Sequence, residues 1–128
     1  MRAPAAVVRE YLRCLERDHD GLDDVVADDV RVLAPDGSVA FSDRETWKRA
    51  VAAEPFEDER IEVVDLVTEG EKVALRYSLE CVHRESGRRV STSGTKIYRV
   101  RDSRIAEIAG HDDVLGVLRQ LGIVHVDL

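Results

Sequence analysis

RIEVVDLVTEGEKVALRYSLECVHR (residues 60–84) is two runs of β-branched and aromatic residues joined by a Glu-Gly-Glu turn. Such runs fit a pleated, half-buried surface, and a link this short can only fold the second run back against the first. Two more runs follow, GRRVSTSGTKIYRV (87–100) and SRIAEIAGH (103–111), set off by ESG and RDS turns. Four strands in succession with such links predict an antiparallel meander. Ahead of it the spacing changes. Val7, Val8, Tyr11, Leu12 and Leu15 share one helical face, with Cys14 beside them. A short helix is expected over residues 21–27, burying Leu22, Val25 and Val26, and then VRVLAPDG reads as a strand entering a turn. Ser42 and Glu45 have the S-x-x-E capping-box spacing, so a third helix starts near Asp43 and buries Trp47 and Val51. VLGVLRQLG predicts a last helix that buries Val114, Leu115, Val117, Leu118 and Leu121 and stops at Gly122. Helices first and strands later give an α+β fold, with helices covering one face of a curved antiparallel sheet around a pocket.

The 128 residues suit one domain, 1–128, with a core that needs neither metal nor disulfide. A net charge of −7 argues against nucleic acid as partner, because phosphate binding needs a basic stripe. Acidic groups such as DGLDD and FEDE read as solvated faces. Cys14 and Cys81 stand alone in apolar surroundings, without the spacing of a zinc site, and read as reduced core thiols of a cytoplasmic protein. MRAPAAVVREYLR has no sustained apolar stretch, so neither a signal peptide nor a membrane span is expected there. The excess of arginine over lysine points to a GC-rich bacterial genome. VALRYSLECV and VVDLV carry apolar residues at both strand parities, so both sheet faces want cover. Helices cover only one, which predicts a homodimer or higher oligomer through the outer face.

Chemistry concentrates near AEIAGHDDVLGVLRQLGI (106–123). An uninterrupted strand puts Ile105, Glu107, Ala109 and His111 on one face, with Asp113 at the same parity just beyond. Asp113 has two readings, a cap for the helix that follows or a carboxylate facing a cavity; Asp112 and Asp113 can also divide those tasks. His111 reads equally as a turn residue and as a pocket residue. His83 ends a strand at the parity of Tyr77, Leu79 and Cys81, as a structural residue or a hydrogen-bond donor. Glu107, if inward, needs a partner such as Arg76 or Lys96. Tyr11, Trp47 and Tyr98 suit a core or a pocket wall. Adjacent His111, Asp112 and Asp113 make a poor metal cage, so no metal is expected.

RIAEI (104–108), Asp113-x-Leu115-Gly116 and the LRQLG ending resemble the SnoaL-like polyketide cyclases of the nuclear-transport-factor-two-like superfamily. VALRYSLECVH (73–83) and GTKIYRVRDSRI (94–105) are similar to the same family's strands. The resemblance implies a cone-shaped α+β barrel and turns the face bearing Ala109 inward, since the family carries a pocket tryptophan there. It also matches the family's catalytic aspartate to Asp113 and its histidine to His83. In such cyclases the aspartate removes a proton α to a carbonyl and the carbanion closes a ring by aldol addition, without a cofactor. The implied site has Asp113, His83 and His111 as catalytic residues. Glu107, Ala109, Tyr77, Trp47 and Tyr11 then contact a small hydrophobic molecule. Three departures touch this region: Ala109 replaces tryptophan, Cys81-Val82 replaces Gly-Thr, and the loop after His83 is cut to RESG. Isomerisation, dehydration or epoxide hydrolysis by the same carboxylate remains an alternative, as does a module that binds or dimerises without catalysis.

Overall fold

A computed structural model describes residues 2–125 and residue 127. The chain begins with helix α1 (Pro4–Arg17), a 3₁₀ turn (His19–Gly21) and the single helical turn α2 (Leu22–Val25). Strands β1 (Val26–Leu33) and β2 (Val39–Phe41) follow, then α3 (Arg44–Ala52). The remainder is β3 (Phe56–Glu69), β4 (Lys72–His83), β5 (Arg89–Arg101), β6 (Arg104–Asp112) and α4 (Val114–Gln120). Strands run β2-β1-β6-β5-β4-β3 across one sheet.

The four-strand meander is antiparallel throughout, as its short turns require. Two features differ from the sequence expectation. β1 lies parallel to β6, so the sheet is mixed. β2 and β3 also remain as open edges, so the sheet curves around the helices without closing into a barrel. The parallel pairing follows from the long excursion between β1 and β6, which spans the whole meander and frees β1 to choose either direction.

The helix boundaries have local causes. Pro4 at the start of α1 fixes φ where the missing N–H costs nothing. Val7, Val8, Tyr11, Leu12 and Cys14 are buried, as their spacing predicts. The second helix ends early, because Val26 is already extended and opens β1. Arg44 bridges this junction, donating from Nη1 to the Asp23 carbonyl at 3.2 Å and the Val26 carbonyl at 2.9 Å. It thereby serves carbonyls that a one-turn helix leaves unpaired. Helix α3 is capped by Asp43 rather than Ser42: its carboxylate accepts from Thr46 N at 2.8 Å. The last helix departs most from expectation. None of its residues is buried, and Val114 is 60% exposed. The core lies between α1, Trp47 of α3 and the inward side chains of β1, β4, β5 and β6. Among the described residues no helix is long and apolar enough to cross a membrane.

The Asp43 cap gives a direct check. Asp43→Ala should lower the midpoint of a urea titration, and Asp43→Asn should restore most of the loss. The Thr46 backbone hydrogen bond holds the Asp43 carboxyl below its ordinary pKa. Its contribution is therefore present above the unfolded-state pKa and is lost as pH falls through the folded-state pKa.

Candidate functional site

Strand parity decides which side chains meet the cavity, and β6 breaks parity. Ile105 and Ile108 are both buried, three residues apart. Val100 pairs with Ile105 while Arg99 pairs with Glu107, so Ala106 is an extra, unpaired residue. Such a bulge reverses the alternation beyond it. Ile105 is inward as predicted, but beyond the bulge Ile108 and Asp112 face the cavity, and Glu107, Ala109 and His111 do not. Glu107 lies outside and pairs with Arg31 at 3.3 Å. Ala109 stands between Leu33 and the exposed Ile97 on the outer face. His111 is exposed beside Thr95.

Asp112 and Asp113 divide their tasks. The Asp113 carboxylate accepts from Gly116 N at 2.9 Å and caps α4. The Asp112 carboxylate accepts the Tyr77 hydroxyl proton on Oδ1 and the Lys96 ammonium at 3.1 Å on Oδ2. Gly94 makes this junction possible: a Cβ there would lie 2.7 Å from the Tyr77 hydroxyl and 2.9 Å from Asp112 Oδ1. At Gly110 a Cβ would collide with the Lys96 stem, which crosses β6 on its way to Asp112.

This junction sits between two apolar chambers. The inner one, ≈ 210 Å³, is walled by Tyr11, Trp47, Leu75, Tyr98 and Ile108. Tyr11 stacks on Trp47 at 6.2 Å and meets Tyr98 edge-on at 5.5 Å. The outer one, ≈ 410 Å³, lies under α4 against Phe56, Cys81, Val117, Leu118 and Leu121. Glu54, Glu59, Tyr77, Leu79 and Asp112 border both. Tyr11, Trp47 and Tyr77 therefore line the cleft as the sequence suggested. His83 borders the outer chamber, with Nδ1 2.8 Å from Ser86 Oγ of its own turn and its ring 5.7 Å from Phe56. A larger groove of ≈ 560 Å³ lies elsewhere, lined chiefly by Asp and Arg side chains such as the Asp23–Arg44 pair. It lacks the apolar walls expected of a small-molecule site.

Two acids outside the predicted site belong to the cleft: Glu59, from the FEDE run read as a solvated face, and Glu54, which the sequence reading did not single out. Burial raises the Glu54 pKa, Glu59 and Asp112 add to it, and Lys96 opposes. Burial likewise raises that of Glu59, with His19 opposing and Glu16 adding. The Tyr77 hydroxyl is pushed up by burial and by its bond to Asp112, so it stays a proton donor at neutral pH. A desolvated carboxylate is a stronger base than a solvated one, and ammonium and phenol donors beside it can stabilise an oxygen gaining negative charge.

A model of the SnoaL-like polyketide cyclase family matches residues 5–121. The chain belongs to that family. Its fold is similar to that of IdmH from Streptomyces antibioticus, described as a candidate polyketide cyclase. The two share 26% identity, with 94% of this chain and 99% of that one covered and a TM-score of 0.81. TsrD from Streptomyces laurentii is similar at 26% identity, 97% and 98% coverage and a TM-score of 0.81. An LEH-like epoxide hydrolase of M. tuberculosis shares the fold at 16% identity, 92% and 88% coverage and a TM-score of 0.77. No curated protein matches.

The capping role of Asp113 has a measurable signature. Asp113→Ala should cost about 1 kcal/mol in chemical denaturation and Asp113→Asn little, since both Asp and Asn cap helices well. A ligand titration monitored by the sole tryptophan, Trp47, should be nearly unchanged in Asp113→Asn.

Proposed function

We propose that the chain is a cofactor-independent acid/base enzyme acting on a small hydrophobic carbonyl compound, with aldol-type polyketide cyclisation as its reaction class. The observation that carries this reading is the Asp112–Tyr77–Lys96 junction set between two apolar chambers, with Glu54 and Glu59 beside it. A cleft carboxylate removes a proton from the carbon next to the carbonyl. The C–H electron pair becomes an enolate, whose oxygen is stabilised by the Lys96 ammonium and the Tyr77 hydroxyl. The carbanion adds to a second carbonyl, and the new alkoxide takes a proton back from the acid formed in the first step. Asp112 holds the two donors in place, while Asp113, expected as the proton-transfer group, caps α4 instead. His83 lies against the outer chamber and serves substrate contact, and His111 has no part in this scheme. Ala109, which replaces the family's pocket tryptophan, lies on the outer face and has no part in this scheme.

Proton abstraction is read directly with 2-tetralone in D₂O, following loss of its α-hydrogens by NMR. The wild-type protein should speed exchange, and Lys96→Met should slow it about a hundredfold, the usual cost of losing an oxyanion donor. Saturable quenching of Trp47 by the same ketone without accelerated exchange would instead establish a binding module.

The same reading includes a homodimer through the outer sheet face. Val64 and Val67 of β3 and Ile97 of β5 are exposed there, and a paired copy would cover them. Light scattering should give twice the chain mass, and Ile97→Lys should shift it towards the monomer.

A further inference from the structure

The acid/base reading leaves open which carboxylate takes the proton. We propose that Glu59 is the base, turned into the cleft by a second bulge in β3. Along this strand Glu57 pairs with Val82 and Arg60 with Glu80. Asp58 and Glu59 are thus both set against the one residue between those partners, Cys81. Continued alternation from Phe56 would send Asp58 and Arg60 inward. The extra residue sends Glu59 and Ile61 inward instead, and both border the inner chamber. Asp58 accommodates the shift with φ of 52°, a left-handed conformation costly for most side chains and best tolerated by Asn and Asp. Bulges gather beside active sites because they re-aim one side chain.

The surroundings of Glu59 separate it from the other two acids. Asp112 is committed to Tyr77 and Lys96. Glu54 sits on the loop after α3, where Lys96 opposes the effect of its burial. Glu59 is half-buried, borders both chambers, and has no hydrogen bond or ion pair among the described residues. The titratable groups facing it are Tyr11 and Glu16 from α1, His19 from the 3₁₀ turn and Glu54 from the loop. From the sheet and its end come Tyr77, Cys81 and His83 of β4, Lys96 and Tyr98 of β5, Asp112 of β6 and Asp113 after it. Apart from Lys96 and the histidines His19 and His83, none is a group that could carry positive charge and hold the proton off. Burial therefore dominates, and the carboxylate is unpaired, basic and beside apolar walls.

This inference rests on the acid/base reading, and 5-nitrobenzisoxazole separates the two. Its ring C–H proton passes to a carboxylate while the N–O bond breaks and the electron pair leaves on a phenolate oxygen. No co-reactant takes part. Wild-type protein should open the ring faster than free acetate, with a rate that rises with pH through the pKa of the base and then levels. Glu59→Gln should lower the plateau about a hundredfold or more and remove the rise. Glu59→Asp, which keeps the acid but withdraws it by one methylene, should be slower than wild type yet retain the rise. Glu62→Gln, an outward change on the same strand, should match wild type. Misfolding is excluded by the sign of the stability change. A raised folded-state pKa means that stability falls as pH rises through the window between the unfolded and folded values. Glu59→Gln should therefore be at least as stable as wild type at neutral pH in urea. If Glu59→Gln keeps the rate and its rise while Glu54→Gln or Asp112→Asn loses them, Glu59 is not the base, though acid/base chemistry stands. If wild type does no better than acetate, both readings fall.

Discussion

A bulge near the start of β6 and another near the start of β3 govern the interior of this protein. A sheet allots side chains to its faces by strict alternation, and the cleft lies on the face that the helices cover. The Ala106 bulge in β6 and the Asp58–Glu59 bulge in β3 each change that allotment within the first few residues of the strand. Before each break the inward residues are apolar and belong to the core or the chamber wall; beyond it an acid enters. Asp112 and Glu59 thus reach the same cleft from different strands, and neither needs a loop to carry it there.

The acids are accommodated by what surrounds them. Asp112 is satisfied twice, by a phenol and an ammonium, and Gly94 and Gly110 leave the space those donors need. Partly buried polar groups without partners are costly, and Tyr77, Lys96 and Asp112 avoid that cost by being tied to one another. Glu59 escapes that arrangement. The resulting contrast, one acid held and one free, resembles the environments by which enzymes assign different duties to groups of the same chemical type.

Much of this fold was legible in the sequence because it rests on local rules. The Glu-Gly-Glu and Arg-Asp-Ser turns dictated the meander, and the spacing of Val7, Val8, Tyr11 and Leu12 dictated the face of α1. Tyr11 and Trp47 were legible as core or cavity wall from their aromatic character, whereas Tyr77 entered the expected site only with the family resemblance. The parallel β1–β6 pairing was not, because a long connection constrains direction weakly. The orientation of β6 was misread: Glu107, Ala109 and His111 were grouped by parity and turned inward by the family match at Ala109, and parity holds only as far as the first bulge. The clue was present in Ile105 and Ile108, two large apolar residues an odd number apart in a strand with a polar neighbour. FEDE was taken for surface because charge runs usually are, and nothing in the composition distinguishes Glu59 from Glu57. The possibility that Asp112 and Asp113 divide capping and cavity-facing roles was legible, and that is the arrangement found.

Helix α4 forms the roof of the outer chamber while burying none of its own residues. Its attachment is polar: the Gln120 side chain accepts from Ser91 N at 2.9 Å and donates to Ser91 O at 2.7 Å, much as another strand residue would. A wall fixed this way can change its apolar side chains without disturbing the core, because Val117, Leu118 and Leu121 line the outer chamber and are not part of the core between α1 and the sheet. What the outer chamber admits and how stable the fold is are therefore separable traits in this chain. Mutational drift in α4 can retune what the outer chamber admits at little thermodynamic penalty, whereas a change at Leu75 or Tyr98 alters both at once.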